Sequence, residues 1–538
     1  MPNPCRRISA VCCVPTYSRG DLYCEQAQPT SGTRSNQGTT TKKKHQQRAL
    51  REQQQAQGLI PRTAPASSNG RSPYANTEEE GEARLQAITE HARILRVQWP
   101  VLVRRLQRIP DLRNPQKTKH TLTVLMLYGI LVFMLHYSSR REANAQITHP
   151  MIEHNLRQLF PELERMPHAD TLFRLLRQMD VAGIEQAHID LVNHLIRKKK
   201  FAPYRINNSY PIAIDGSRKM ACSQLWSEAL LQRRVSGSPK EEAEPSCYQY
   251  YVYVLEASLS FRNGMVIPLM SEFLDFQQGD TEQDKQDCET RAFHRLAERI
   301  QRAFPRLPIM LLLDGLYAQG PVMARCRDYH WQFMIVLKDR SLPTVWEEYQ
   351  SLRGLGADQQ HQQNWGERRQ HFRWVNHIRY DYGPNARHHL TVHVVVCEEQ
   401  WQAVDEHAEI VTKRAKQAWI SSRPLQATNV HARCNLAARY RWGIESGFLV
   451  EKHQGYAYEH AFAKDWNAMR GYHYLMRLAH LLNTLARFSS TLAPLVRRWG
   501  MRPFIALLRT TLSGPWLDQI GLDEIARRLR SPFQLRLI

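Results

Sequence analysis

The chain has 538 residues, of which 42% are hydrophobic, and carries a formal net charge of +22. This hydrophobic content excludes wholesale disorder and a collagen-like fibre, and the length corresponds to about three domains. A charge this large attracts polyanions, so nucleic acid is the first partner to consider and an anionic membrane surface the second. The ten cysteines contain no C-x-x-C pair, which argues against a disulfide scaffold or a zinc ribbon and favours reduced thiols in a cytoplasmic protein.

Residues 1–75 are polar and rich in Gln, Ser, Thr and Arg. This composition predicts a disordered basic tail. The tail is either a DNA-binding arm or the product of an upstream start codon, and the second interpretation is favoured. Its first residues lack the uninterrupted apolar core of a secretory signal.

Residues 76–207 have apolar side chains at three- and four-residue spacing, which predicts a helical N-terminal domain. Within it, the apolar run 121–137 is at the lower length limit for crossing a bilayer, and a buried core helix is the favoured interpretation. The RKKK run at 197–200 is either a solvated face or a contact to the DNA backbone, and DNA binding is the expected role of this domain.

The pattern changes to short apolar runs in residues 208–339, which form the first part of a predicted catalytic core. In the segment IAIDGS the apolar run is followed by Asp215, and in the segment MLLLDGLY it is followed by Asp314. Between them lie a β-hairpin that turns at Asn263-Gly264 and an amphipathic helix. Strands with a crossover helix in this order predict a mixed α/β sheet.

Residues 340–415 are predicted to form a β-rich insertion, because they alternate and turn at a Gly-Pro-Asn sequence. Residues 416–480 return to the core as a strand and a helix, and residues 481–538 are predicted as basic C-terminal helices. Glu445 lies on the helix that follows the insertion.

Asp215, Asp314 and Glu445 each lie at the end of an apolar element or on a helix that packs against one. Carboxylate oxygens are the ligands that Mg²⁺ prefers, and two such ions could activate an attacking oxygen and neutralise a leaving one. An Asp before Gly is also a common turn residue, so each acid alone is more readily explained as structural. The three together in a very basic chain favour a metal site.

The ordered segments IAIDGS, LLLDGLY and RWGIESGFLVEK resemble the DDE transposases of bacterial insertion sequences, in particular the IS-four-like group with its Y-x₂-R-x₃-E-x₆-K signature. Arg441, Glu445 and Lys452 match R-x₃-E-x₆-K, and the resemblance extends over roughly residues 100–490. The signature Tyr would fall at position 438, where this chain has Ala438. The chain departs from the signature at this position.

The resemblance implies an RNase H-like mixed sheet with a mostly β insertion, preceded by an α-helical domain and followed by C-terminal helices. It implies that Asp215, Asp314 and Glu445 bind two Mg²⁺ ions, with Mn²⁺ able to substitute. It also implies that Arg441 and Lys452 contact transposon-end DNA.

Two aromatic residues of these segments, Tyr317 and Trp442, are candidates for stacking on a displaced base, although a place in the core is the favoured interpretation for both. The implied reaction is cleavage at the element's ends followed by transfer of the 3′-OH into target DNA. No G-x-x-x-x-G-K-[ST] motif is present, so no nucleotide cofactor is expected. The expected protein is a homodimer on its paired DNA ends, without a membrane partner, and is cytoplasmic and associated with the nucleoid.

Three other functions remain open from the sequence. A metal-dependent nuclease would use the same acids without strand transfer, and joining activity would distinguish it. An inert DNA-binding regulator derived from a transposase would bind DNA without cutting it. A membrane-associated protein would be anchored by residues 121–137.

Overall fold

The computed structural model describes residues 37–61, 72, 74–163, 165–234, 248–274, 285–356 and 358–538. The chain forms two compact units. The smaller unit contains the described part of Met1–Arg71 together with His361–Phe372 and Cys397–Lys416, and the larger contains Ser72–Gln360, Arg373–Val396 and Gln417–Ile538. The domain boundaries inferred from the sequence stay predictions.

The larger unit begins with six helices: α2 (Thr77–Leu106), α3 (Leu122–Met134), α4 (Arg140–Ile147), α5 (Pro150–Leu159), α6 (Ala169–Gln178) and α7 (Ala182–Arg197). Helix α2 begins where the Asn76 side chain accepts a hydrogen bond from the amide of Glu79. Three glutamates in its first turn stabilise the helix, because their negative charge interacts favourably with the positive end of the helix dipole. In α3 every residue except Thr123 is buried, which confirms the core-helix interpretation of this apolar run. Among the described residues, no helix is both long enough and apolar enough to cross a membrane.

The sheet of the larger unit contains β1 (Tyr210–Cys222), β2 (Leu231–Arg234), β3 (Tyr248–Ser260), β4 (Val266–Leu274), β5 (Ile309–Leu313) and β6 (Gln332–Val336). Strand β3 pairs antiparallel with β1, β2 and β4, whereas β5 runs parallel to both β1 and β6. The predicted hairpin is confirmed, since β3 and β4 are joined by a turn in which Gly264 has a φ of 82°. Helix α8 (Lys285–Ala303) connects β4 to β5, and α9 (Gly320–Asp328) connects β5 to β6.

After α10 (Pro343–Leu352) come four further strands: β7 (Gln360–Trp365), β8 (Arg368–Tyr382), β9 (His388–Val404) and β10 (Ile410–Ser421). The strand order is β2-β3-β1-β5-β6-β10-β9-β8-β7, with β4 on β3. Strand β10 runs antiparallel to β6 and so continues the sheet. The chain then forms α11 (Gly443–His453), α12 (Trp466–Arg487), α13 (Ala493–Trp499), α14 (Met501–Ser513) and α15 (Gln519–Arg530). A mixed α/β fold with helices at both ends is therefore confirmed.

The smaller unit contains α1 (Gln37–Ala56) and parts of β7–β10. The prediction of a disordered tail over residues 1–75 is wrong for α1, while residues 1–36, 62–71 and 73 lie outside the described residues. The helix forms because KKKHQQRALREQQQA consists of good helix formers and because Leu50 is buried with Val404 and Ala408. In the same unit Arg368 pairs with the fully buried Glu399 at 2.7 Å.

Candidate active site

Asp215 and Asp314 lie at the same level of two neighbouring parallel strands. The pairing of β1 with β5 runs from Tyr210 opposite Ile309 to Ala213 opposite Leu312, and continuing that register by two residues brings Asp215 opposite Asp314. Adjacent strands are about 4.8 Å apart, so the register places the two acids side by side. Asp314 ends its strand as a helix cap, because its Oδ1 accepts a hydrogen bond from the amide of Leu316 at 2.9 Å.

Glu445 reaches the same place from the first turn of α11. The chain enters this helix through a π-helical turn (Ala432–Ala437) and a 3-10 turn (Ala438–Trp442). Ser260 at the end of β3 donates a hydrogen bond to the carbonyl of Tyr440. At Gly443 a methyl group would overlap Ser260 Oγ, so a glycine is required for the helix to start this close to the sheet.

Arg441 joins two of the three acids. Its Nη1 lies 3.3 Å from Asp215 Oδ2 and its Nη2 lies 2.9 Å from Glu445 Oε1. The Arg441 side chain is only 7% exposed, and its Nε has no hydrogen-bond partner among the described residues. The resemblance assigned Arg441 to DNA, and the structure adds this second role of holding the two carboxylates together.

The electrostatics of the acids reflect this crowding. Burial raises the pKa of Asp215, with Arg441 acting in the opposite direction and Asp314 adding to the rise. Burial likewise raises the pKa of Glu445 to about 7, opposed by Arg441 and reinforced by Asp215. Carboxylates this close repel one another, so a cation stabilises the group in its charged form.

The side chains present fit a divalent metal ion. Asp215, Asp314 and Glu445 supply hard oxygen donors of the kind that Mg²⁺ prefers, and burial raises the pKa of Asp215 and of Glu445 in spite of the charge of Arg441. Within the part of the chain that the structure describes, no three His, Cys, Asp or Glu side chains are already gathered as a metal-binding group. Arg441, rather than a third acid, contacts both Asp215 and Glu445.

The other residues singled out from the sequence lie in different surroundings. Trp442 is 40% exposed and lies against the Arg441 guanidinium, 4.5 Å from its ring centre. Lys452, on the last turn of α11, pairs with Glu459 at 3.4 Å. Tyr317 is 1% exposed and packs on Phe293, so its ring is not available to a base in this structure.

Glu289 is a buried acid outside the set of residues singled out from the sequence. It is 7% exposed on α8, and it is hydrogen-bonded to Tyr253, whose pKa is raised by burial and by this carboxylate. A signal was present in the sequence, since Glu289 shares the inward-facing stripe of Phe293, Leu296 and Ile300 at helical spacing.

A second group of buried charges joins α12 to α11 and β3. Arg477 on α12 bonds Glu451 at 3.0 Å and Glu256 at 3.1 Å. His480 contacts Glu451 at 2.6 Å, and His473 contacts Glu256 at 3.1 Å. We call these five residues the buried charge network.

The network touches two of the elements that carry the acids. Glu451 lies on α11 with Glu445, and Glu256 pairs directly with Asp215 between β3 and β1. Lys219, also on β1, is buried and donates to the carbonyl of Tyr458 at 3.0 Å. The network thus fixes the helix and the strands from which Glu445 and Asp215 project.

Residues 103–192 match the family model described as DDE_Tnp_1-associated. The match shows similarity to a transposase-associated domain over these residues, and it covers α3–α6 and parts of α2 and α7 but not the three acids. Comparison with curated proteins finds no match.

Proposed function

We propose that this chain is a DDE transposase of the IS-four-like group that cuts DNA at the ends of an insertion sequence and joins the freed 3′-OH to target DNA. The observation that carries the proposal is that Asp215 is level with Asp314 across β1 and β5 and shares Arg441 with Glu445, in a chain whose helical region matches a transposase-associated family. A net charge of +22 supports a polyanionic substrate.

We also propose that the core is RNase H-like. What supports this is a sheet in which β1, β3 and β4 are antiparallel, α8 crosses over, and β5 and β6 follow β1 in parallel. The first acid lies within β1, two residues past the last pair of β1 with β5, and the second directly follows β5, so both acids lie where the parallel pairing ends.

In this proposal the three acids would hold two Mg²⁺ ions. When bound, the ions would supply Lewis-acid stabilisation of the negative charge on the attacking and leaving oxygens. Arg441 orients Asp215 and Glu445, since its guanidinium bonds one oxygen of each. In the same proposal, the exposed ring of Trp442 and the ammonium group of Lys452 contact the DNA.

The reaction consists of two displacements at phosphorus. In the first, water attacks the phosphodiester at the element's end, the P–O3′ bond breaks, and the strand is left with a 3′-OH and its neighbour with a 5′-phosphate. In the second, that 3′-OH attacks a target phosphodiester and replaces the target's 3′ oxygen, which leaves with a proton. Two ends must be brought together, so we propose a homodimer in the nucleoid.

The test is cleavage of a supercoiled plasmid that carries the native element, in Mg²⁺ and in EDTA, by the wild type, Glu445→Gln and Asp314→Asn. The matched control is Asp328→Asn, because Asp328 is an exposed acid at the end of α9 with only a surface partner. We expect metal-dependent cuts that map to the element's ends, that are abolished in the two site variants and that persist in the control.

The remaining outcomes identify the alternatives. Cuts scattered over any DNA, without joined products, would indicate a metal-dependent nuclease. Absence of cleavage by the wild type, with DNA binding equal in all four proteins, would indicate a DNA-binding regulator and overturn the proposal.

A further inference from the structure

The C-terminal ends of α2 and α7 enclose a small cleft lined mostly by cations. Its cavity of about 140 Å³ is bordered by Arg104 and Arg105 from α2, by Arg108 in the turn after α2, and by Asp190, His194 and Arg197 from α7. We call it the α2–α7 cleft. It lies on the helical region, whereas the three acids lie on the sheet and on α11.

The positive charge of this cleft exceeds its negative charge. Asp190 is its one acid, and it is already bonded to Arg105 at 3.1 Å and to the Gln186 amide at 3.1 Å. Arg104 donates its Nε to the carbonyl of Pro100. Among the described residues, no acid pairs with Arg104, Arg108 or Arg197.

The pKa of His194, which lines the cleft, reflects this excess of positive charge. Burial lowers its pKa, and the neighbouring Lys198, Arg197 and Arg104 lower it further. The positive potential at His194 disfavours a proton there and favours an anion. This agrees with the excess of arginines over acids in the cleft.

The cationic surface continues past the end of α7. Lys198 and Lys199 are exposed, and Lys199 has a φ of 57°, so the chain turns there. Lys200 is not part of this surface, because it is partly buried and donates its Nζ to the carbonyl of Leu535 at 2.6 Å. The RKKK run thus divides into three exposed cations and one structural lysine.

We propose that the α2–α7 cleft binds a backbone phosphate of double-stranded DNA, with Arg108 and Arg197 as its main donors. Guanidinium groups suit this role, since their planar N–H fork matches phosphate oxygens. A cavity of this size accepts one phosphate group, and the adjoining Lys198 and Lys199 extend the contact along the strand. This inference rests on the proposed function, because it supplies a DNA contact away from the acids.

The experiment measures the binding of a duplex with the native end sequence by fluorescence anisotropy over a series of KCl concentrations. The full-length wild type is compared with the double variant Arg108→Gln/Arg197→Gln. The control is Arg302→Gln/Arg327→Gln, which removes the same charge from exposed arginines that are paired on α8 and α9. Thermal unfolding of each protein establishes that it is folded.

Each lost phosphate contact lowers the slope of log K against log [salt] by about 0.9. We therefore expect the cleft variant, which loses the contact to one phosphate, to lose about 0.9 units of slope and about fivefold in affinity near 150 mM salt, with the control close to the wild type. A slope equal to that of the wild type, or a loss equal to that of the control, would overturn the inference.

Two further measurements distinguish DNA from a membrane surface as the partner of the cleft, and failure of the cleft proposal from failure of the proposed function. Binding to phosphatidylserine vesicles that falls in the cleft variant while duplex binding does not would overturn the inference in favour of a membrane surface. A reduced slope in the cleft variant, together with cleavage that survives Glu445→Gln, would support the cleft while refuting the proposed function.

Discussion

Arg477 and Glu451 form an ion pair in the interior of the larger unit, with 3.0 Å between Nη1 and Oε1 and with no exposed area on the Glu451 side chain. The Arg477 and His480 side chains hold the pKa of Glu451 well below its usual range, against the effect of burial. The same arginine contacts Glu256, whose pKa is raised by burial. One buried cation therefore serves two buried carboxylates, one on α11 and one on β3.

Arg477→Met should destabilise the protein by about 3–5 kcal/mol, because removing one partner of a buried pair leaves an uncompensated charge. Met preserves most of the side-chain volume, so packing changes little. The measurement is the free energy of unfolding from urea denaturation of the full-length protein. Arg302→Met is the control, since the exposed pair of Arg302 with Glu298 is worth about 0–1 kcal/mol. Equal losses in the two variants would contradict a structural role for the network.

The elements that carry the acids could be predicted from the sequence, because they depend on local patterns. The apolar runs before Asp215 and Asp314 predict buried strands with an acid at the end of each, and Asn263-Gly264 predicts the hairpin turn. Asp314 does follow β5 directly, but Asp215 lies inside β1, which continues to Cys222. The level alignment of the two acids could not be predicted, since the register of β1 against β5 depends on residues 99 apart in the chain.

The buried charge network could not be predicted from the sequence either. Glu451 and Lys452 look like a charged helix surface, and only the packing of α12 shows that Glu451 is buried while Lys452 is partly exposed. The R-x₃-E spacing did place Arg441 one turn before Glu445, but it did not reveal that the guanidinium also bonds Asp215.

Gly443→Ala tests how closely α11 must approach the sheet. Helix propensity alone would make this change stabilising by about 1 kcal/mol, but the new methyl would overlap Ser260 Oγ. We therefore expect a loss of about 1–3 kcal/mol in the free energy of unfolding, accompanied by reduced cleavage as Glu445 is displaced.

Two further variants check this explanation. Adding Ser260→Ala to Gly443→Ala removes the overlapping oxygen and should recover part of the loss, measured as a coupling free energy in a double-mutant cycle. Gly447→Ala on the same helix places its methyl in ordinary contact with Val266 at 3.4 Å, so it should be neutral or stabilising. A loss in Gly447→Ala as large as that in Gly443→Ala would refute the steric account.

Trp442→Ala tests whether the exposed ring stacks on a base. Stacking of a base on an aromatic side chain is worth about 1–3 kcal/mol, so the affinity for an end duplex with unpaired terminal bases should fall by about fivefold to 150-fold. Trp442→Phe should retain most of the affinity, and Leu449→Ala, which removes an exposed apolar side chain of the same helix, should have no effect. Equal losses on fully paired and unpaired ends would argue against stacking.

His188→Gln isolates a pH-dependent contribution to stability. His188 is buried on α7, and its Nε2 donates to the carbonyl of Pro268 at 2.7 Å. Burial lowers its pKa to about 4; the bond to Pro268 and the charge of Glu451 oppose this effect, and Arg477 and His480 add to it. A glutamine amide can donate the same bond but does not titrate.

The sign follows from the two states. Between pH 6.5 and pH 4 the unfolded chain binds a proton at His188 and the folded chain does not, so wild-type stability falls with falling pH. Relative to His188→Gln, it should fall by about 1.4 kcal/mol per pH unit in this window and stay constant above it. The measurement is urea denaturation of both proteins from pH 7.5 to pH 4.5, with exposed His389→Gln as the control. A constant difference between wild type and His188→Gln across this range would show that His188 is protonated equally in both states.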